Sequence, residues 1–234
     1  MSRVLVPLAI LESESVSTGL PTLLATMDVT VLGYHVLPEQ TPPDQARLQY
    51  EDRATDALVD LEAAFEAAGG SADHRLVFTH DREQTIDRIA DDTAADAYAI
   101  TGTTGPVDRF LVTLSGDVAV DRITAFVTEL VGDREIGVTL VLATDDEPSG
   151  RDSLEAAADS LAGHGIDVAT ELVVGEPPLE ALLAAAVGHD AIVMGEQAPS
   201  LRSFLLGEDA ERVAAESVGP VLVVREHRDE TAAE

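Results

Sequence analysis

The chain has no cysteine, no lysine and no tryptophan, and aromatic residues make up 3% of its 234 positions. Without cysteine there is no disulfide framework, no thiol catalysis and no cysteine-ligated zinc site. Without lysine, arginine carries every side-chain positive charge, 14 residues against 44 carboxylates. Each arginine is embedded among acids, whereas phosphate contacts need clustered cations, so no nucleic-acid partner is expected. The scarcity of aromatics also removes any stacking platform for bases. No apolar run approaches the ~18 residues of a membrane span, so no membrane insertion is expected. The six histidines, His35, His74, His80, His164, His189 and His227, show no metal-ligand spacing on one helix, and no metal is expected. No Gly-x-Ser-x-Gly elbow surrounds Ser13, Ser15 or Ser115, so nucleophilic catalysis has no support and no catalytic residue is assigned.

What is present is a soluble, cored composition of 45% hydrophobic and 25% charged residues with a formal charge of −30. This acid excess resembles that of proteins from extreme halophiles. A lawn of carboxylates keeps the surface hydrated while its self-repulsion opposes compaction in dilute buffer. Molar salt shortens the Debye length to roughly 3 Å and relieves that penalty. Met1-Ser2-Arg3 runs straight into the apolar segment Val4 to Ile10, too short for a secretory signal, and a cytoplasmic location is expected.

The chain repeats itself. Arg3-Val4-Leu5-Val6-Pro7-Leu8 recurs as Arg109-Phe110-Leu111-Val112-Thr113-Leu114, and Asp28-Val29-Thr30-Val31-Leu32 recurs as Gly137-Val138-Thr139-Leu140-Val141. Leu61-Glu62-Ala63-Ala64, ending at Gly69-Gly70, recurs as Leu154-Glu155-Ala156-Ala157, ending at Gly163 to Gly165, each an Ala-rich amphipathic helix with a glycine stop. Asp96-Ala97-Tyr98-Ala99-Ile100-Thr101-Gly102 matches Asp190-Ala191-Ile192-Val193-Met194-Gly195. The first copy is expected as strands at 3–9, 28–36, 73–79 and 97–101 with helices at 14–27, 44–68 and 83–94. The second is expected as strands at 109–115, 136–143, 166–174, 190–194 and 220–224 with helices at 118–131, 151–162, 177–187 and 208–217. Such alternation implies α/β architecture with parallel sheets covered on both faces. Residues 103–106 lead directly into the second copy, so the first lacks a final helix and strand. The expected organisation is therefore a unit at 1–106, a complete unit at 107–225 and a frayed polar tail at 226–234, the two units packing as a pseudo-dimer across a short linker.

An opening strand ending in Val-Pro, a strand of the form Val-Thr-Val-Leu, Asp-Ala before an apolar strand and glycine, and the closing Pro220-Val221-Leu222-Val223-Val224-Arg225 together resemble the universal stress protein (UspA-like) family. The resemblance implies two tandem doubly wound parallel sheets of strand order 3-2-1-4-5. A ligand crevice would lie where the order reverses, at the carboxyl ends of strands one and four. It also implies an Asp after the first strand and a Gly-x-x-Gly loop, followed by Gly-Ser or Gly-Thr, that holds phosphates through backbone N–H groups and a helix N-terminus. The chain departs from that pattern. The Asp positions are Ala9 and Ser115; Gly102 and Gly105 remain in the first copy, but Gly116 opens a helix of the other repeat.

In the second copy Gly195 is followed by Ala198 in place of a glycine, and Gly207 comes one residue early, before Glu208-Asp209. A carboxylate 4 Å from a phosphate charge repels it by about 4 kcal/mol at an effective dielectric of 20, before salt or a bridging metal intervenes. Alternatively, acids in a first helical turn cap its N–H groups and suit its dipole, contributing about 0.3 to 1 kcal/mol. Arg202 in the same loop either meets phosphate or pairs with surface acids. The resulting candidate crevice comprises Ser115, Ala143, Met194, Gly195, Ala198, Gly207, Glu208 and Asp209. No cofactor is expected there, with ATP as the alternative.

Other features receive plainer readings. His35 and His80 are placed at strand ends with a surface role, and Asp91-Asp92 and Asp145-Asp146-Glu147 are read as solvated acids. Pro38 to Pro43 reads as a surface turn or a partner-facing loop. The chain thus reads as a universal stress protein-like regulatory or binding protein with a degenerate nucleotide site and no catalysis. The alternatives are an ATP-binding member, up to a slow ATPase, and an interaction module for a transporter or other protein partner. The family resemblance implies a homodimer seam along the exposed strand 220–224.

Overall fold

The computed structural model describes residues 1–11, 16–100, 102, 105–114, 119–196 and 219–226. The strands are β1 (Arg3–Ala9), β2 (Asp28–Val36), β3 (Ser71–Thr79), β4 (Ala97–Ile100), β5 (Arg109–Thr113), β6 (Gly137–Thr144), β7 (Val168–Val174), β8 (Ala191–Gly195) and β9 (Val221–Val224). The helices are α1 (Gly19–Leu23), α2 (Pro43–Ala67), α3 (Arg82–Asp92), α4 (Val120–Val131), α5 (Glu147–Ala162) and α6 (Pro178–Ala185). The expected helix at 208–217 lies outside the described residues, as does the tail from residue 227.

The nine strands among the described residues form one sheet in the order β3-β2-β1-β4-β9-β8-β5-β6-β7. From β7 inward, the second repeat runs 3-2-1-4-5 as its resemblance implied, every pair parallel. The first repeat runs 3-2-1-4 and stops, because it has no fifth strand of its own. Its open edge is taken by β9, which pairs antiparallel with β4 from Ala97↔Val224 to Ile100↔Val221. The two expected doubly wound units join edge to edge in one sheet, parallel except at the β4/β9 pair. One correction follows. Strand 220–224 is central, paired on both sides, so the edge expected to bind a second copy is satisfied by the first repeat.

Burial follows sheet position. The inner strands β4, β8 and β9 are buried at every residue and are accordingly written as unbroken apolar runs. The outer strands β3 and β7 carry Asp73, Arg75, Thr170 and Glu171 and are half exposed. One face of the sheet packs under α1, α2, α4 and α5, with Leu20, Leu24, Phe65, Phe126, Leu130 and Leu161 in a single core shared by both repeats. The other face packs under α3 and α6 around Ile86, Tyr98, Leu182 and Met194.

Each repeat fastens its first strand to its fourth in the same way. Asp96 Oδ2 accepts from Arg3 N–H at 3.0 Å and Asp96 N–H donates to Arg3 O at 2.8 Å. Asp190 Oδ2 accepts from the N–H groups of Asp108 and Arg109 at 2.9 Å, and its own N–H reaches Arg109 O at 3.0 Å. The recurrent Asp-Ala pair is therefore a latch across the β1/β4 and β5/β8 seams. Element bounds differ from expectation at two helices. α1 is confined to Gly19–Leu23 because Leu24 to Met27 turn at once into β2, Met27 N–H bonding Leu24 O at 2.9 Å. α5 begins earlier, at Glu147, because the Asp146 carboxylate caps it by accepting from Ser149 N–H and a proline stands in its first turn.

Candidate functional site

In the second repeat the strand order reverses between β5 and β8, so the carboxyl edge there is where a doubly wound sheet presents a crevice. Three predicted residues fall within the described structure at this edge. Ala143 is half-buried near the end of β6, opposite Val173. Met194 has 0% exposure and its side chain belongs to the core beneath α3 and α6, so it supplies packing there. Gly195 ends β8 opposite Val224. Ser115, Ala198, Gly207, Glu208 and Asp209 lie outside the described residues, together with Gly116 and Arg202.

The two repeats differ at this edge in a way their alignment exposes. Tyr34 stands in β2 where Ala143 stands in β6, and it is paired with Ala9, the counterpart of Ser115. Tyr34 is only 3% exposed and its ring lies 5.2 Å from the Arg82 guanidinium, a cation–π contact. The phenol and the arginine occupy the edge of the first repeat, while a methyl group occupies the same place in the second.

A polar network centred on Arg225, whose contacts no sequence motif marks, joins the second repeat's edge to the first repeat. Arg225, directly after β9, is 8% exposed. Its N–H donates to Asp96 O at 2.8 Å, its Nη1 to Ala95 O at 3.2 Å and its Nη2 to Asp91 Oδ1 at 2.5 Å. Glu196, the first residue beyond β8, lies 3.9 Å from Arg225 Nε and accepts from Glu226 N–H at 3.1 Å. Its own N–H meets Val224 O at 2.7 Å. Arg122, in the first turn of α4, reaches Asp96 Oδ1 at 3.2 Å. These contacts hold the start of the loop after β8 against residues of the first repeat. The sequence signal is a lone arginine closing an apolar strand, which by itself marks only the end of that strand.

His80, Asp91, Asp92, Asp145, Asp146 and Glu147 are exposed as expected, whereas the surface reading of His35 is revised. His35 Nδ1 is buried without a hydrogen-bond partner, and its ring stands edge-on to Tyr50 and Phe78 at 6.0 and 6.3 Å. It is a packing residue of the small cluster around Leu37, Ala46 and Phe78. His80 Nδ1 lies 3.1 Å from Leu37 O, close to the end of β2. Asp91 is engaged by Arg225, Asp146 is a helix cap, and Glu147 pairs with Arg151 at 2.7 Å. Among the described residues no group of three His, Asp or Glu is disposed to hold a metal ion, and no helix is long and apolar enough to cross a membrane.

The fold and this edge define a doubly wound α/β protein in which five strands, ordered β7-β6-β5-β8-β9, lend β9 to the open edge of the other four. Residues 119–225 match the Universal stress protein family. A universal stress protein from Archaeoglobus fulgidus superposes on 96% of this chain and 98% of its own, with a TM-score of 0.65 and 17% identity. A functionally unknown protein from Pseudomonas aeruginosa covers 96% of this chain and 92% of its own, with a TM-score of 0.53 and 16% identity. At these identities the likeness is one of fold. No curated protein matches the chain.

Proposed function

We propose that the chain is a universal stress protein-like regulatory or binding protein of halophilic type, without catalytic activity, whose nucleotide site in the second repeat is degenerate. The observation that carries this reading is the commitment of cationic side chains at that edge. Arg225 is held by Asp91, Glu196 and a backbone carbonyl, and Arg122 by Asp96. A polyphosphate entering there meets arginines whose charge is already offset, and the sequence adds Glu208 and Asp209 to the loop. The first repeat, its edge filled by Tyr34 and Arg82, serves as a scaffold. The working division is 1–106 and 107–225, in a cytoplasmic protein that acts by contact with a protein partner.

Ala143 places only a methyl group where the first repeat has the Tyr34 phenol, so the decisive property is phosphate retention. Purification from molar KCl followed by absorbance near 260 nm tests this directly, since three tyrosines and no tryptophan give the chain little absorbance of its own. The expected result is nucleotide-free protein. Stoichiometric adenine nucleotide would establish the ATP-binding alternative.

A further inference from the structure

A cavity of about 450 Å³ lies between the repeats, away from the edge described above. Its walls come from α1 and the residue before it, from the linker Gly105 to Asp108, and from Arg134 to Ile136 between α4 and β6. Asp108 and Ile136 immediately precede β5 and β6, so the cavity opens on the amino side of the second repeat's strands. Neither repeat alone contains it, and cavities of this size at unit boundaries are common places for small ligands.

Its chemistry is uneven. Leu23, Pro106, Val107 and Ile136 supply apolar surface, and Arg134 supplies the positive charge. The Arg134 guanidinium donates only to backbone carbonyls: Nε to Val131, Nη1 to Thr22, and Nη2 to Leu23 and Leu130. A guanidinium has five N–H donors, so one on Nη1 is uncommitted. No carboxylate lies within ion-pair distance of Arg134 among the described residues, in a chain with 44 of them. Partial burial lowers the Arg134 pKa from its ordinary value. Asp108 and Glu135, both exposed, stand at the rim.

We propose that this cavity binds a small amphipathic monocarboxylate, its carboxyl group on Arg134 and its apolar body against Leu23, Val107 and Ile136. The rim acids limit the ligand to a single negative charge by repelling polyanions, so the site differs in chemistry from a nucleotide crevice. It also stands independently of the reading of the second repeat.

Isothermal titration of the full chain with 4-phenylbutyrate, 4-phenylbutyramide and 4-phenylbutylamine tests the assignment. The carboxylate is expected to bind saturably, the amide about tenfold more weakly, reflecting the loss of one charge-assisted contact, and the amine not at all. Val107→Trp and Thr22→Trp fill the cavity from two sides while keeping the Arg134 side chain, and whichever variant retains the wild-type circular dichroism is expected to lose binding. ATP is expected to leave the 4-phenylbutyrate affinity unchanged whether or not it binds in the second repeat. The proposal is overturned by absent carboxylate binding, by equal binding of the amide, by wild-type affinity in a folded cavity-filled variant, or by competition from ATP.

Discussion

Single residues hold the two repeats together through partners that their sequence positions do not advertise. Arg134 joins the carboxyl ends of two helices, one from each repeat, through carbonyls of Thr22, Leu23, Leu130 and Val131. A cation is suited to such helix ends by the macrodipole. At the neighbouring end of the joint, Glu129 on α4 accepts from Ser2 N–H at 2.8 Å and Ser2 Oγ at 2.6 Å and lies 3.3 Å from the Met1 ammonium. Burial works against ionisation of Glu129, but these donors outweigh it and hold the carboxyl below its ordinary value of 4.5. A depressed carboxyl stabilises the fold fully above the unfolded-state pKa, and that stabilisation is lost as pH falls through the folded value. Glu129→Gln is therefore expected to lower stability by about 1 kcal/mol at neutral pH and to narrow the gap from wild type on acidification. Urea midpoints across the acid range check this, and a gap that widens with acid would contradict it.

At the scale of elements, β9 is the piece on which both repeats depend. Its entry is constrained by Gly219, where a Cβ would stand 1.7 Å from the Asp190 carbonyl oxygen. That oxygen belongs to the residue whose carboxylate latches β5, so the chain there cannot yield without disturbing the seam. Gly219→Ala is expected to cost about 1 to 3 kcal/mol by overpacking and to raise amide exchange in β4 as well as β8, because both strands lose their partner. Exchange changes confined to the second repeat would refute the shared role of β9. Most elements were legible because apolar runs and glycine stops encode them locally. The joint was not, since the missing fifth strand in the first repeat says only that an edge is open. It does not say which strand fills it. For the same reason Arg225 was visible only as a strand terminus, although its ligands Asp91 and Ala95 lie 134 and 130 residues away.

At the scale of the whole molecule, the first repeat is incomplete by one strand and the second carries the strand that completes it. A fragment of residues 1–106 exposes the fully buried apolar strand β4 as an edge, the arrangement that favours aggregation. It is expected to remain insoluble or to self-associate, and a monomeric, cooperatively folding fragment on light scattering and urea titration would show that β9 is dispensable to it.

The formal charge of −30 acts on the same joint from outside, since both repeats carry the excess of acid across a shared sheet. Screening shortens the Debye length from ~10 Å at 0.1 M salt to ~3 Å at 1 M, so relief of repulsion is concentrated in the first few tenths molar. The Arg134 bonds to carbonyls, the β4/β9 ladder and the common apolar core carry no ion pair for salt to screen, so they persist as repulsion fades. The thermal midpoint is therefore expected to climb steeply with KCl below about 0.5 M and then to flatten, whereas sucrose, which is excluded from the surface but screens nothing, should give only a gradual rise. A midpoint that rises with KCl no differently from sucrose, or that falls, would show that charge repulsion does not limit the stability of this fold.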